Sequence, residues 1–115
     1  WKIQGKNIRI TEMWAIINKK ENFNVIHIHP NCYLSSAYYV KASKDCGEFI
    51  AENPNLAKRY VYPEIVNKNE LNVETARINI EEGDLLLFPS YLPHKVGKNK
   101  SGDDRIVISF NVDII

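Results

Sequence analysis

The sequence predicts an all-β fold, packed as a sandwich or closed as a barrel, and three observations predict it. Short runs rich in Ile, Val, Tyr and Phe recur along the chain, broken by Gly, Pro, Asn and Asp. No stretch of about 12 residues or more carries a convincing helical apolar stripe. The final apolar run alternates cleanly, with Ile106, Ile108, Phe110 and Val112 on one face and Arg105, Val107, Ser109 and Asn111 on the other.

In chain order, strands are expected over 13–18, 24–29, 34–40, 48–51, 76–80, 84–88 and 105–113. Turn chemistry punctuates them at "KASKDCGE", "EEGD" and "KNKSGDD". The polar segment 53–74 is long for a connection inside a compact domain. It is expected to be a lid or binding element, with a plain surface insertion as the alternative. A length of 115 residues suggests one domain over 1–115 carrying that insertion. No internal repeat is visible. In the last strand the apolar face needs a cover, from N-terminal helices or from a second subunit in a homodimer. The chain starts at Trp1 rather than Met, so a preceding segment is expected.

A net charge of +1 argues against a nucleic-acid partner, which would call for a concentrated basic face. The pairs Lys19/Lys20 and Lys98/Lys100 read as solvated loops. Cys32 and Cys46 form neither a CxxC pair nor a disulfide framework, so reduced thiols in a cytoplasmic compartment are expected. No apolar run approaches the roughly 18 residues of a membrane span, and no signal peptide is expected.

The chemistry concentrates in the histidines. There are three, and two of them sit in "NVIHIHPN". Residues i and i+2 of a strand share a face, so His27 and His29 would project together, as two metal ligands on one rigid element must. Neutral imidazole suits Fe, Zn, Cu and Ni. His94 follows "GDLLLFPSYLP", where a turn and two prolines fix the chain around it. Exposed or merely structural histidines are the plain alternative, but one three-residue metal site accounts for all three together. Arg105 opens the last strand and faces the same way as Ser109. A buried arginine needs an anionic partner, and a guanidinium fork beside a hydroxyl suits a carboxylate ligand. The alternative is an ion pair with Asp103 or Asp104 at the loop edge.

"HIHPNCYLSSAYYV", "CGEFIAENP" and "EEGDLLLFPSYLPHKVGKNKSGDDRIVISFNV" together resemble the small 2-oxoglutarate- and Fe(II)-dependent oxygenases related to prolyl hydroxylases, in a branch common in bacteria and phages. The likeness runs from about Trp14 to Val112, leaving out the 53–74 insertion. It implies a double-stranded β-helix, or jelly roll, with Fe(II) held by a facial triad and 2-oxoglutarate as cosubstrate. The implied reaction hydroxylates a small-molecule or peptide substrate with release of succinate and CO2. His27 corresponds to the first ligand, His29 to the position that usually holds a carboxylate, and His94 to the distal histidine. Arg105 and Tyr39 correspond to the pair that binds the far carboxylate of 2-oxoglutarate, with Asn18 and Ser109 as further polar contacts. A different register would put His29 first and Asn31 in the acid position, but Pro30 disturbs the strand alternation it needs. Two other readings remain. A cupin-type metal protein would not use 2-oxoglutarate, and a non-catalytic β-sandwich module would keep the fold without a metal.

Overall fold

The computed structural model describes residues 7–57, 64–69 and 72–115. Eight strands form among the described residues: β1 (Ile8–Asn18), β2 (Asn24–His27), β3 (Leu34–Lys41), β4 (Phe49–Glu52), β5 (Thr75–Ile78), β6 (Leu85–Pro89), β7 (His94–Val96) and β8 (Arg105–Ile114). They divide into two four-stranded sheets, ordered β1-β8-β3-β6 and β2-β7-β4-β5. All pairings are antiparallel. Consecutive strands fall in opposite sheets except β4 and β5, which pair with each other in the second, and this is the jelly-roll arrangement the resemblance implied.

All seven expected strands have counterparts, with two corrections. The second strand ends at His27, not His29. Pro30 and Asn31 turn the chain immediately afterwards, and Asn31 takes φ 64°. His29 is held instead by its backbone N–H, which donates to the Ser90 carbonyl at 3.0 Å. The other correction is β7, which was not expected. Three residues after two prolines are too few to display a period of two, yet His94 pairs with His27 on one side and Ala51 on the other. Cross-strand pairing, absent from any local pattern, makes this segment a strand.

β8 is the central ladder of the first sheet, flanked by β1 and β3. Its predicted alternation holds as far as Asn111: Arg105, Val107, Ser109 and Asn111 are buried and Ile106, Ile108 and Phe110 half-buried, but Val112, expected with the outer row, is buried. Ala37, Tyr39 and Val107 form the core cluster, with Ala42, Ile80 and Leu86 packed against it. Each large apolar side chain removed from water here contributes about 1.5–3 kcal/mol. The same interior also buries Asn18, Ser35, Arg105, Ser109 and Asn111. A purely structural core would avoid this polar row, because each group must be hydrogen-bonded or else costs free energy.

On the outer side of the first sheet, Met13, Ile17, Leu85 and Leu87 are more than half exposed. No described residues cover this face. The insertion 53–74 leaves β4 and returns in β5, and its base is closed by the Asn53 N–H donating to the Glu74 carbonyl at 2.8 Å. Part of it, 58–63 and 70–71, lies outside the described residues, and with it part of the lid expectation. No helix among the described residues is long and apolar enough to cross a membrane.

Gly47 is required twice over. Its φ is 100°, and a Cβ there would fall 2.2 Å from the Gly97 carbonyl oxygen and 2.7 Å from Nη1 of Arg105. Gly47→Ala is therefore expected to destabilise the fold by roughly 1–3 kcal/mol. A urea melt reads this as a lower midpoint with an unchanged slope. A midpoint equal to wild type would refute the constraint.

Candidate functional site

Three imidazoles converge at one end of the space between the sheets. His27 and His94 face each other across the β2–β7 ladder with ring centroids 4.3 Å apart. His29 approaches from the turn after β2, 5.0 Å from the His27 ring and stacked 5.2 Å from that of His94. One ligand nitrogen from each can be chosen so that all lie within 4.8 Å of one another. Nδ1 of His27 lies 2.7 Å from the Val25 carbonyl and Nδ1 of His94 lies 2.9 Å from that of Leu92. A carbonyl can only accept, so both Nδ1 atoms carry the proton. Both Nε2 atoms are left with a free lone pair, the form a metal ligand needs.

Aromatic side chains wall this end. Phe49 stacks on His94 at 5.1 Å, Phe88 meets it edge-on at 4.6 Å, and Trp14 stacks on His29 at 5.9 Å. Burial among these rings lowers the pKa of His94 to about 4, with smaller contributions from His27 and His29 and opposition from the Leu92 carbonyl. Burial also lowers that of His29, helped by His27 and opposed by Glu12. His29 and His94 are thus neutral at physiological pH.

At the other end lies Arg105, 1% exposed. Its Nη1 donates to the carbonyls of Cys46 at 2.7 Å and Gly97 at 3.3 Å, and Nη2 donates to Oδ1 of Asn24 at 3.4 Å. Its Nε–H has no partner among the described residues. Burial pulls its pKa down, with Tyr39 and then Cys46 acting in the other direction. A guanidinium nonetheless stays charged in proteins. Among the described residues neither Asp103 nor Asp104 makes the loop-edge ion pair with Arg105, and Asp103 pairs with Lys41 at 3.3 Å instead. Tyr39 is buried on β3 and its pKa is pushed up to about 12, chiefly by burial, so its hydroxyl remains a donor. Asn18 donates through Nδ2 to Oδ1 of Asn24 at 3.2 Å, while its own Oδ1 has no partner among the described residues.

One cavity joins the two ends. His27, His29 and His94 line it, and so do Asn18, Tyr39, Arg105 and Ser109. Asn31 does not; it is exposed in the turn after His29. A larger open hollow of about 710 Å³ lies by loop 42–48, where Lys44, Lys98 and Lys100 are interspersed with Asp45, Glu48 and Glu81. It contains none of the histidines.

Sequence reading missed several supports. Asn24 ties Asn18 to Arg105. Asn99, fully buried, donates to the carbonyls of Asn18 and Asp103 and accepts from Ser101, which shapes the turn delivering Arg105. Asn99 stood in a turn run with the basic pair around it, and only its burial distinguishes it. Trp14, two residues before Ile16 on the inward side of β1, could have been read from the alternation.

The donor set fits a divalent cation: three imidazoles converge, two of them held from behind at Nδ1 by backbone carbonyls. The far end fits a carboxylate, because a buried cation with an unpartnered N–H lacks its anion. A double-stranded β-helix enclosing a three-histidine cluster is thus the class this structure defines. The chain belongs to the family described as "Putative 2OG-Fe(II) oxygenase", whose model matches residues 12–111. Fe(II) and 2-oxoglutarate are the cofactor and cosubstrate that family name carries. No curated protein matches in sequence. Among solved structures, a 2OG-Fe(II) oxygenase family oxidoreductase from Burkholderia pseudomallei superposes with a TM-score of 0.73 at 12% identity, over 96% of this chain and 47% of its own. HygX from Streptomyces hygroscopicus with iron bound gives 0.64 at 16% identity, over 92% and 58%. A Pseudomonas putida prolyl-4-hydroxylase gives 0.61 at 14%, over 88% and 50%. The chain therefore spans about half the length of the solved structures it matches, and at these identities they establish the fold.

The buried histidine makes stability depend on pH. The pKa of His94 is about 4 in the folded chain against the ordinary 6.5 of an unfolded one, so between them the unfolded state takes up the proton that the folded state refuses. Metal-free protein is expected to hold its melting temperature above pH 6.5 and to lose stability as pH falls towards 4. His94→Gln should flatten this slope. An equal slope in both proteins would contradict the burial argument.

Proposed function

We propose that this chain is the core of a 2-oxoglutarate- and Fe(II)-dependent oxygenase acting on a small molecule or peptide. The observation that carries the reading is a single cavity with three converging imidazoles at one end and, at the other, a buried Arg105 with no carboxylate partner among the described residues. In this reading His27, His29 and His94 hold the iron through their ring nitrogens. Arg105 binds the distal carboxylate of 2-oxoglutarate, using the Nε–H that is otherwise unpartnered, and Tyr39 donates its hydroxyl to the same group. Asn18 and Ser109 supply polar contacts along the cosubstrate. Once bound, iron and 2-oxoglutarate supply the oxidising chemistry, consuming O2, releasing succinate and CO2 and hydroxylating the substrate.

The protein's part is positioning and exclusion of water. Trp14, Phe49 and Phe88 form an apolar collar around the histidines, which strengthens electrostatic interactions inside it. Insertion 53–74 is the proposed substrate wall. Its base follows Ala51, the cross-strand partner of His94, so it springs from the metal end. A cytoplasmic setting is part of the proposal, supported by Cys32 and Cys46 both being free thiols.

Wild-type protein loaded with Fe(II) under argon should develop a weak visible charge-transfer band when 2-oxoglutarate is added. Arg105→Ala should retain the metal but bind 2-oxoglutarate about thirtyfold more weakly, the loss of roughly 2 kcal/mol expected for a charged hydrogen-bond partner. Metal binding that never responds to 2-oxoglutarate would replace this reading with a cupin-type metal protein. Failure to bind metal would leave a non-catalytic β module.

A further inference from the structure

Two buried polar atoms at the Arg105 end of the cavity have no partner among the described residues: Nε of Arg105 and Oδ1 of Asn18. Their residues pair directly in the β1–β8 ladder, and both line the cavity. Asn18 is 6% exposed and Arg105 1%. The backbone carbonyl of Asn18 is pinned from the other side, where it accepts from Nδ2 of the fully buried Asn99 at 3.0 Å.

The orientation of the Asn18 amide follows from the donors alone. A guanidinium has five N–H donors and no acceptor. Nη1 of Arg105 donates to the carbonyls of Cys46 and Gly97. Nη2 lies 3.4 Å from the Asn24 side chain, so Asn24 must turn its oxygen there, because the reverse orientation would set two donors against each other. That same Oδ1 lies 3.2 Å from the Asn18 amide, so Asn18 must offer it Nδ2. The other end of the Asn18 amide is therefore its oxygen. Arg105 sets Asn24, Asn24 sets Asn18, and the cavity wall beside the guanidinium carries an acceptor.

A carboxylate answers only half of this arrangement. It accepts from the Nε–H but has no hydrogen to give to Oδ1 of Asn18. A buried acceptor left without a donor costs free energy. A water molecule resolves the mismatch, with one O–H for the amide oxygen and one for the carboxylate. We propose that Asn18 holds a water that donates to both its Oδ1 and the distal carboxylate, that Asn24 is the positioning residue that turns the amide this way, and that this water sets the length of dicarboxylate the cavity accepts. The proposal rests on the reading above, in which Arg105 receives the distal carboxylate of 2-oxoglutarate. An acid one methylene longer, 2-oxoadipate, would have to displace the water and would leave Oδ1 of Asn18 without a donor.

The test is a calorimetric titration of 2-oxoglutarate and of 2-oxoadipate into Mn(II)-loaded protein. Wild type is expected to prefer 2-oxoglutarate by about tenfold or more, the penalty for stranding one buried acceptor. Asn18→Leu, which keeps the volume but offers no acceptor, is expected to lose that preference by weakening 2-oxoglutarate, with its Mn(II) affinity unchanged. Asn24→Leu frees the Asn18 amide to turn Nδ2 inward and donate directly, so it should reduce the preference as well. A wild type that binds both acids equally would overturn the proposal, as would an Asn18→Leu variant that keeps the wild-type preference. A loss in Asn18→Leu that strikes both acids and Mn(II) alike would also overturn it, since a merely structural asparagine damages the whole cavity without changing the ratio. The two readings fail differently. Wild type that binds neither acid overturns the 2-oxoglutarate reading and this inference with it, whereas unchanged selectivity in Asn18→Leu overturns the inference alone.

Discussion

A guanidinium buried with no carboxylate partner among the described residues is the constraint around which this structure is arranged. Arg105 opens β8, the strand both β1 and β3 pair with, and its head spans the gap to the second sheet. Its neighbours are backbone carbonyls of Cys46 and Gly97 and the amide of Asn24. These contacts disperse the charge but do not neutralise it, and desolvating a cation costs several kcal/mol unless an anion compensates. The surrounding sequence is shaped by this requirement. Gly47 lacks a Cβ where one would collide with the guanidinium. Asn99 is buried to form the turn that delivers Arg105. Tyr39 stands beside it as a protonated phenol. A fold selected for stability alone would have substituted an apolar residue here. Retaining the arginine makes sense if an anion arrives.

The histidine end follows the opposite logic. There burial keeps His29 and His94 neutral, and Nδ1 of His27 and of His94 is turned away from the centre towards the Val25 and Leu92 carbonyls. One end of the cavity is thus prepared for a cation and the other for an anion, with apolar walls between them. A chelating dicarboxylate that bridges metal and guanidinium satisfies both ends at once. The chain belongs to a family named for such a cosubstrate.

Much of this was legible in the sequence, for identifiable reasons. The β8 alternation exposed Arg105 and Ser109 as inward residues because a period of two survives from Arg105 to Asn111. The histidines were legible because there are only three. What was not legible depended on contacts between distant segments. β7 is a strand only because β2 and β4 flank it. His29 joins the cluster from a turn, through its bond to Ser90, rather than from the strand its spacing suggested. The β-bulge between Ile10 and Glu12, which shifts the β1–β8 register, has no local signature. The cover for the outer face of the first sheet was expected from the apolar row, and no described residues supply it.

The central claim is that the histidines and Arg105 are two ends of one site, so their ligands must be coupled. Calorimetric titration of 2-oxoglutarate into protein with and without Mn(II) measures this directly. Coupling of about 1.4 kcal/mol corresponds to a tenfold change in affinity, and linkage requires the same factor for Mn(II) with and without 2-oxoglutarate. The account predicts at least that factor, equal in both directions. Independent binding of the two, with identical affinities in the presence and absence of the other, would contradict it.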